Sequence, residues 1–252
     1  MDLSGCGAAI TGGAGGLGEA VARHIAGAGG TVAILDLDDK GAGLAEELGG
    51  TFHKLDVTDA PACARILATV AEGHRLDLMV NCAGVAPAAR TVGRDGAHDP
   101  ALFARTVGIN LIGTFNCASA AAAIMAEQDG RGPDGERGVI VNTASIAAYD
   151  GQMGQIAYAA SKGGVAAMTL PMARDLARSG IRVVAVAPGL FLTPMMTAFP
   201  QDIQDRLGAQ VPFPARLGHP AEFAALVAHI ATNPMLNGEV IRLDGAIRLA
   251  PK

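Results

Sequence analysis

The chain has 252 residues, half of them hydrophobic and only 17% charged, with a formal net charge of -5. That length fits one large domain or two small ones, and the acidic balance gives no electrostatic footprint for nucleic acid. No run of Lys or Arg is long enough to hold an acidic membrane surface, and the 34 glycines show no collagen period.

The first apolar run, residues 6–11 (CGAAIT), begins within a few residues of Met1. That leaves no room for a signal peptide and sets the expectation of a cytoplasmic protein, with the mitochondrial matrix as the alternative. The run leads directly into TGGAGGLG (11–18), whose Gly12, Gly16 and Gly18 allow a tight turn, a close backbone approach to a pyrophosphate and a helix N-terminus aimed at it. The second run, 31–36 (TVAILD), ends on Asp36, eighteen residues after Gly18. An acidic residue there accepts hydrogen bonds from the hydroxyls of an adenosine ribose; the plainer reading is an acidic turn residue. A 2'-phosphate ~4 Å from that carboxylate would meet roughly 4 kcal/mol of repulsion per unit charge at an effective dielectric of 20, so NAD is expected over NADP. Neither Ala14 nor Leu37, Asp38 and Asp39 offers a cation to offset it.

The third run, 52–57, is expected to close on Asp56 and Val57, and the fourth, 76–81, to lead into NCAG (81–84) with Cys82, Ala83 and Gly84. Both lie where an adenine and its ribose would rest. Alanine-rich stretches at 17–29, 60–73 and 101–128 have helical spacing. No apolar run is read as reaching the roughly 20 residues that span a bilayer. Asn110 is poorly placed for helix propensity in 101–128: it is either a buried amide correcting a backbone defect or the holder of a water that connects to Lys162. Polar, glycine-rich stretches at 86–100 and 129–138 are surface excursions.

After the fifth run, 138–143, comes Ser145, thirteen residues before Tyr158. Tyr158 and Lys162 stand at i, i+4 in a predicted helix over 155–177 and so share a face. A phenol with pKa about 10 is too weak a base near neutrality. An ammonium ~4 Å away supplies roughly 4 kcal/mol, about three pKa units. Such a pair also occurs on ordinary surface helices. Tyr149, the other tyrosine, is a pocket wall or packing. Runs at 181–188 and 239–245 complete seven strands, and residues 190–216, mixing prolines with Met and Phe, are expected to form a substrate lid beyond a strand end. Strand alternating with helix makes residues 1–252 a single Rossmann-type, doubly wound α/β domain. Cys6, Cys63, Cys82 and Cys117 are read as small buried hydrophobes in a reducing compartment. No metal site is expected from the histidines.

In this order the motifs resemble the short-chain dehydrogenase/reductase family, from TGGAGGLG through Asp56, NCAG, Asn110, Ser145 and YAASK (158–162) to Pro188, Gly189 and Thr193. The resemblance implies that Tyr158 is the acid/base, that Lys162 lowers its pKa and binds the nicotinamide ribose, that Ser145 orients the substrate oxygen and that Asn110 completes a proton relay. It implies that Gly12, Gly15, Gly16, Leu17, Gly18, Asp36, Asp56, Val57, Cys82, Ala83 and Gly84 bind the rest of NAD. Pro188, Gly189, Phe191 and Thr193 would hold its carboxamide, and Gln155 would touch substrate. Cys82 replaces the usual second Asn of N-N-A-G, a change of little consequence where the contact is through backbone. The stretches 137–177, 211–230 and 233–252 are similar to the branch that oxidises the 3-hydroxyl of short or branched acyl-CoA thioesters. That implies an acyl-CoA substrate and a homotetramer pairing the helices around 101–128 and 155–178. Arg90 and Arg94 would meet the CoA phosphates, or are solvated loop charges. Alternatives are oxidation of a hydroxysteroid or other secondary alcohol and, more remotely, a non-catalytic NAD-responsive scaffold.

Overall fold

The computed structural model describes residues 1–94 and 96–251. In chain order its first half comprises β1 (Gly7–Thr11), α1 (Gly16–Gly27), β2 (Thr31–Asp36), α2 (Lys40–Glu47), β3 (Thr51–Lys54), α3 (Ala60–Gly73), β4 (Leu78–Asn81) and a small hairpin, β5 (Val92–Gly93) with β6 (Gly96–Ala97). Then follow α4 (Pro100–Val107), a π-helical turn (Gly108–Gly113), α5 (Thr114–Ala126), β7 (Gly138–Thr143), α6 (Ile156–Leu176), β8 (Ile181–Pro188), α7 (Pro194–Thr197), α8 (Gln201–Gly208), α9 (Pro220–Thr232) and β9 (Val240–Leu243).

Seven strands form one parallel sheet in the order β3-β2-β1-β4-β7-β8-β9. The chain starts at β1, winds outward to β3, then returns past β1 to β4 and winds the other way. That reversal leaves a crevice at the carboxyl ends of β1 and β4, where Thr11 pairs with Asn81. Strands β1, β4, β7 and β8 are buried on both faces, which is why they read as unbroken apolar runs. One face packs on Val21 and Ile25 of α1 and Phe223, Val227 and Ile230 of α9. The other packs on Leu67 of α3 and Cys117, Ala121 and Met125 of α5.

Several boundaries differ from expectation. β3 ends at Lys54, so Asp56 and Val57 lie in the turn beyond it; Leu55 N–H still reaches the Asp36 carbonyl at 3.0 Å and carries the chain along the sheet edge. The short α2, which was not read from the sequence, has two glycines and buries Gly41, Leu44 and Ala45 along one face. The expected helix over 101–128 is two α-helices joined by the π turn that holds Asn110. Contrary to the reading of its hydropathy, the run Pro100–Ala126 is long and apolar enough to cross a membrane. Its α5 part inserts Cys117, Ala118, Ala121, Ala122 and Met125 into the core, while Ile112 and Phe115 point outward and are half exposed. Cys6, Cys63 and Cys117 are free and buried, and Cys82 is half-buried. The segment 190–216 leaves the carboxyl end of β8 and contains α7 and α8.

Candidate active site

The carboxyl ends of the central strands open onto a cavity of about 960 Å³. Its floor is the glycine turn. Gly12 has φ +63, and a Cβ there would stand 2.7 Å from Ala83 N; one on Gly18 would collide with the Gly12 carbonyl. Side chains at these positions would fill the space that backbone needs to approach a diphosphate. Gly15 caps α1 without a side-chain hydrogen bond, so the first N–H groups of the helix remain available to an anion, and Gly15, Gly16, Leu17 and Gly18 all line the cavity.

Beside the glycine turn, Asp36 closes β2. Its Oδ2 accepts the Ala14 N–H and its Oδ1 the Asp38 N–H, each at 3.0 Å, which fixes the carboxylate's orientation. Asp56, Val57, Cys82, Ala83 and Gly84 border the same space. So does Lys40, one residue beyond the stretch read as offering no cation: the chain turns into α2 at this residue, bringing its ammonium back to the cavity, 3.1 Å from Asp38. The signal was one position beyond the stretch that the strand-end motif covers.

At the reacting end, Ser145 follows β7, and its Oγ accepts Ala147 N–H at 3.1 Å to start a single 3-10 turn. Tyr158 and Lys162 share one face of α6, whose N-cap is Gln155. Lys162 is buried; its Nζ donates to the Thr143 carbonyl at 2.6 Å and stands 5.9 Å from the centre of the Tyr158 ring. Burial pushes the lysine down to about 8. Burial also raises the Tyr158 phenol, opposed by its hydrogen bond with Ser145. The expected lowering of the phenol by the ammonium is therefore absent in the protein alone: desolvation outweighs a charge that is directed at a carbonyl. Tyr158 is held as a proton-bearing acid at neutral pH, the form needed to protonate a carbonyl oxygen.

The depressed lysine sets a pH dependence. Lys162 is charged below about 8 and neutral above it, while Tyr158 keeps its proton through that range. Any proton transfer at Tyr158 that draws on this charge is expected to hold steady below pH 8 and to weaken as pH rises through it, as the cation beside the phenol is lost. A pH profile of kcat/KM checks this: Lys162→Arg, whose guanidinium stays charged, should move the fall to higher pH, and an unmoved limb would assign it to another group.

Asn110 does not line the cavity but lies one layer behind it, fully buried. Its Oδ1 accepts the Val85 N–H at 2.8 Å, and its Nδ2 donates to the Val85 carbonyl at 2.8 Å and to Ser161 Oγ at 3.0 Å. The amide is committed to protein partners and ties the loop after β4 to α6. A Cβ on Gly84 would stand 3.1 Å from Asn110 Oδ1 and 3.6 Å from Lys162 Nζ, so the wall between them is one backbone thick.

Pro188, Gly189, Phe191 and Thr193 border the cavity on the far side, with Gln155 above Tyr158's helix start. Gln152, missed because it belongs to no motif, lines it too and donates its N–H to Gln155 Oε1 at 3.1 Å. Tyr149 does not border the cavity; it is half exposed, with its ring 5.4 Å from the Arg242 guanidinium. Arg90 and Arg94 are exposed and border no part of the cavity, as solvated loop charges would. Among the described residues the cations that line it are Lys40, Arg105 and Lys162.

A family model described as short chain dehydrogenase matches residues 7–204. The chain is 50% identical to 3-hydroxyacyl-CoA dehydrogenase type-2 of Rattus norvegicus, over 97% of this chain and 95% of the relative. It is 49% identical to the Drosophila melanogaster protein of that name, over 96% and 97%. A crystal structure of 3-hydroxyacyl-CoA dehydrogenase type-2 from Mycobacterium avium superposes with a TM-score of 0.94 at 43% identity, covering 100% of both chains.

Proposed function

The chain belongs to the short-chain dehydrogenase family and is an oxidoreductase, and on that premise we propose that it interconverts 3-hydroxyacyl-CoA and 3-ketoacyl-CoA thioesters of short or branched chain with NAD. The observation that carries this is the convergence of Ser145, Tyr158 and Lys162 with the glycine turn and Asp36 on a single cavity, in a chain that matches relatives of that printed name along almost its whole length.

The cradle fits a dinucleotide: Gly12 and Gly18 leave no room for side chains, the α1 N-terminus is uncapped, and Asp36 borders the cavity where it would accept from the ribose hydroxyls. NAD supplies or accepts the hydride when bound. Ser145 hydroxyl and Tyr158 phenol converge on the substrate oxygen. Tyr158 donates its proton to that oxygen in reduction and takes the hydroxyl proton in oxidation. Lys162, buried beneath the phenol, offers positive charge as the phenolate forms, and a buried setting makes that charge count for more than it would in water. Asn110 acts from behind by holding the loop after β4 in register with α6.

The assembly we propose is a homotetramer. Ile112 and Phe115 on the 100–126 run and Ile156 and Leu170 on α6 are exposed large hydrophobics on the helices that would pair, and they make that run apolar on both sides.

An NADH-consumption panel of 3-ketoacyl-CoA esters of increasing length, with a ketosteroid beside them, tests the reading. The highest kcat/KM is expected for a short thioester. A ketosteroid preferred over acetoacetyl-CoA would overturn it, and tight NADH binding without turnover on any member would favour the scaffold.

A further inference from the structure

Beyond the nucleotide and the reacting groups, one part of the cavity wall belongs to no family motif: the last stretch of the chain. After β9 the backbone reverses at Gly245 (φ 58) and Ala246 (φ 68), the latter a left-handed non-glycine residue held by its N–H to Asp244 Oδ1 at 3.0 Å. Such a conformation persists only where its surroundings fix it. Here they do. Arg242 bonds Asp244 and Asp150 and donates to the Ile247 carbonyl at 3.1 Å, and the tail continues across the loop before α6. There the Gln152 side chain donates to the Ala250 carbonyl and Met153 N–H to the Pro251 carbonyl, both at 3.0 Å. Pinned at both ends, the tail turns Ile247 and Leu249 inward. Ile247 is buried with Ile146 and Val211, and Leu249 packs against that cluster beside Leu190 while also bordering the cavity.

Leu249 thus borders the same cavity as Ser145, Gln155 and Tyr158. We propose that the tail forms the apolar wall that ends the acyl pocket, and that Leu249 sets the size of acyl group accepted. This rests on the thioester reading above. A wall residue acts on the part of the substrate beyond the reacting carbon, so its effect appears as a ratio between substrates, whereas a loosened fold would lower all of them together. Shortening Leu249 opens room for extra methylenes; enlarging it removes room for those already accepted.

The experiment compares Leu249→Ala and Leu249→Phe with the natural enzyme, using NADH and 3-ketoacyl-CoA esters of four to ten carbons, together with free 3-keto esters of the same acyl lengths. The ratio of kcat/KM for the eight-carbon to the four-carbon thioester should rise about tenfold in Leu249→Ala and fall about tenfold in Leu249→Phe, the scale of one or two methylenes in an apolar pocket. NADH affinity, followed by fluorescence, should be unchanged in both. A ratio unmoved in either variant, or moved in the same direction by both, overturns the proposal. An enzyme that reduces the free keto esters but ignores the thioesters sinks the thioester reading instead; the wall then stands or falls on the same ratio measured with the esters.

Discussion

Tyr158→Phe is expected to lower kcat by about 10²–10⁴-fold, the range that a positioned general acid contributes, while leaving NADH binding intact. The substitution removes one oxygen and leaves the ring, so the wall keeps its shape. What is lost is the proton donor. Ser145 cannot take over, because an alcohol hydroxyl is far too weak an acid to yield a proton on the timescale of turnover. Single-turnover reduction, with NADH affinity measured alongside, distinguishes the outcomes. Activity within a factor of a few of the natural enzyme would remove Tyr158 from the proposed role, and weakened NADH binding would show that the ring mainly shapes the cofactor site.

The second large effect is expected at the other end of the cavity. Replacing NADH by NADPH should lower kcat/KM about a thousandfold, since roughly 4 kcal/mol of repulsion at ~4 Å converts to nearly three factors of ten. Asp36 cannot swing away to relieve it, because both carboxylate oxygens are held by backbone N–H groups. Lys40 is the cation closest in sequence, yet Asp38 already engages it at 3.1 Å, in an exposed pair of the kind worth about 1 kcal/mol or less. In Asp36→Ala the repulsion disappears and Lys40 remains, so the two cofactors should come within about tenfold of each other. Equal use of both by the natural protein would show that the Lys40 side of the site, not Asp36, governs the choice.

Much of this was legible before any coordinates. Parallel strands covered on both faces must be apolar throughout, so β1, β4, β7 and β8 announce themselves as short runs, and the residues that follow their carboxyl ends include most of the cavity lining. The less legible parts share a cause. β3 is an edge strand with little burial, and where it stops depends on its neighbour more than on its own residues. Lys40 and Gln152 reach the site through turns whose geometry a linear motif does not encode. The state of Tyr158 is set by how thoroughly the fold removes water from it, and spacing alone revealed the partner without the desolvation. Asn110 fits the plainer of its two readings, a buried amide bonded to Val85 and Ser161 at an irregular turn of the backbone.

That feature has an implication for how the chain tolerates change. A helix advances about 100° per residue, so a turn that holds one residue more than the α form shifts the phase of everything after it. With Gly108–Gly113 wound as a π turn, α4 and α5 read their faces from different origins. The offset is what lets Arg105 border the cavity while Cys117 and Ala121 enter the core and Phe115 looks outward. Deleting a single residue there would close the turn to the α form and leave α4 and α5 facing as they do, whereas a deletion within either helix would rotate every following face by about 100°. The π turn is thus an extra residue absorbed on the spot, and the chain tolerates a change of length here that it would not tolerate in the helices on either side.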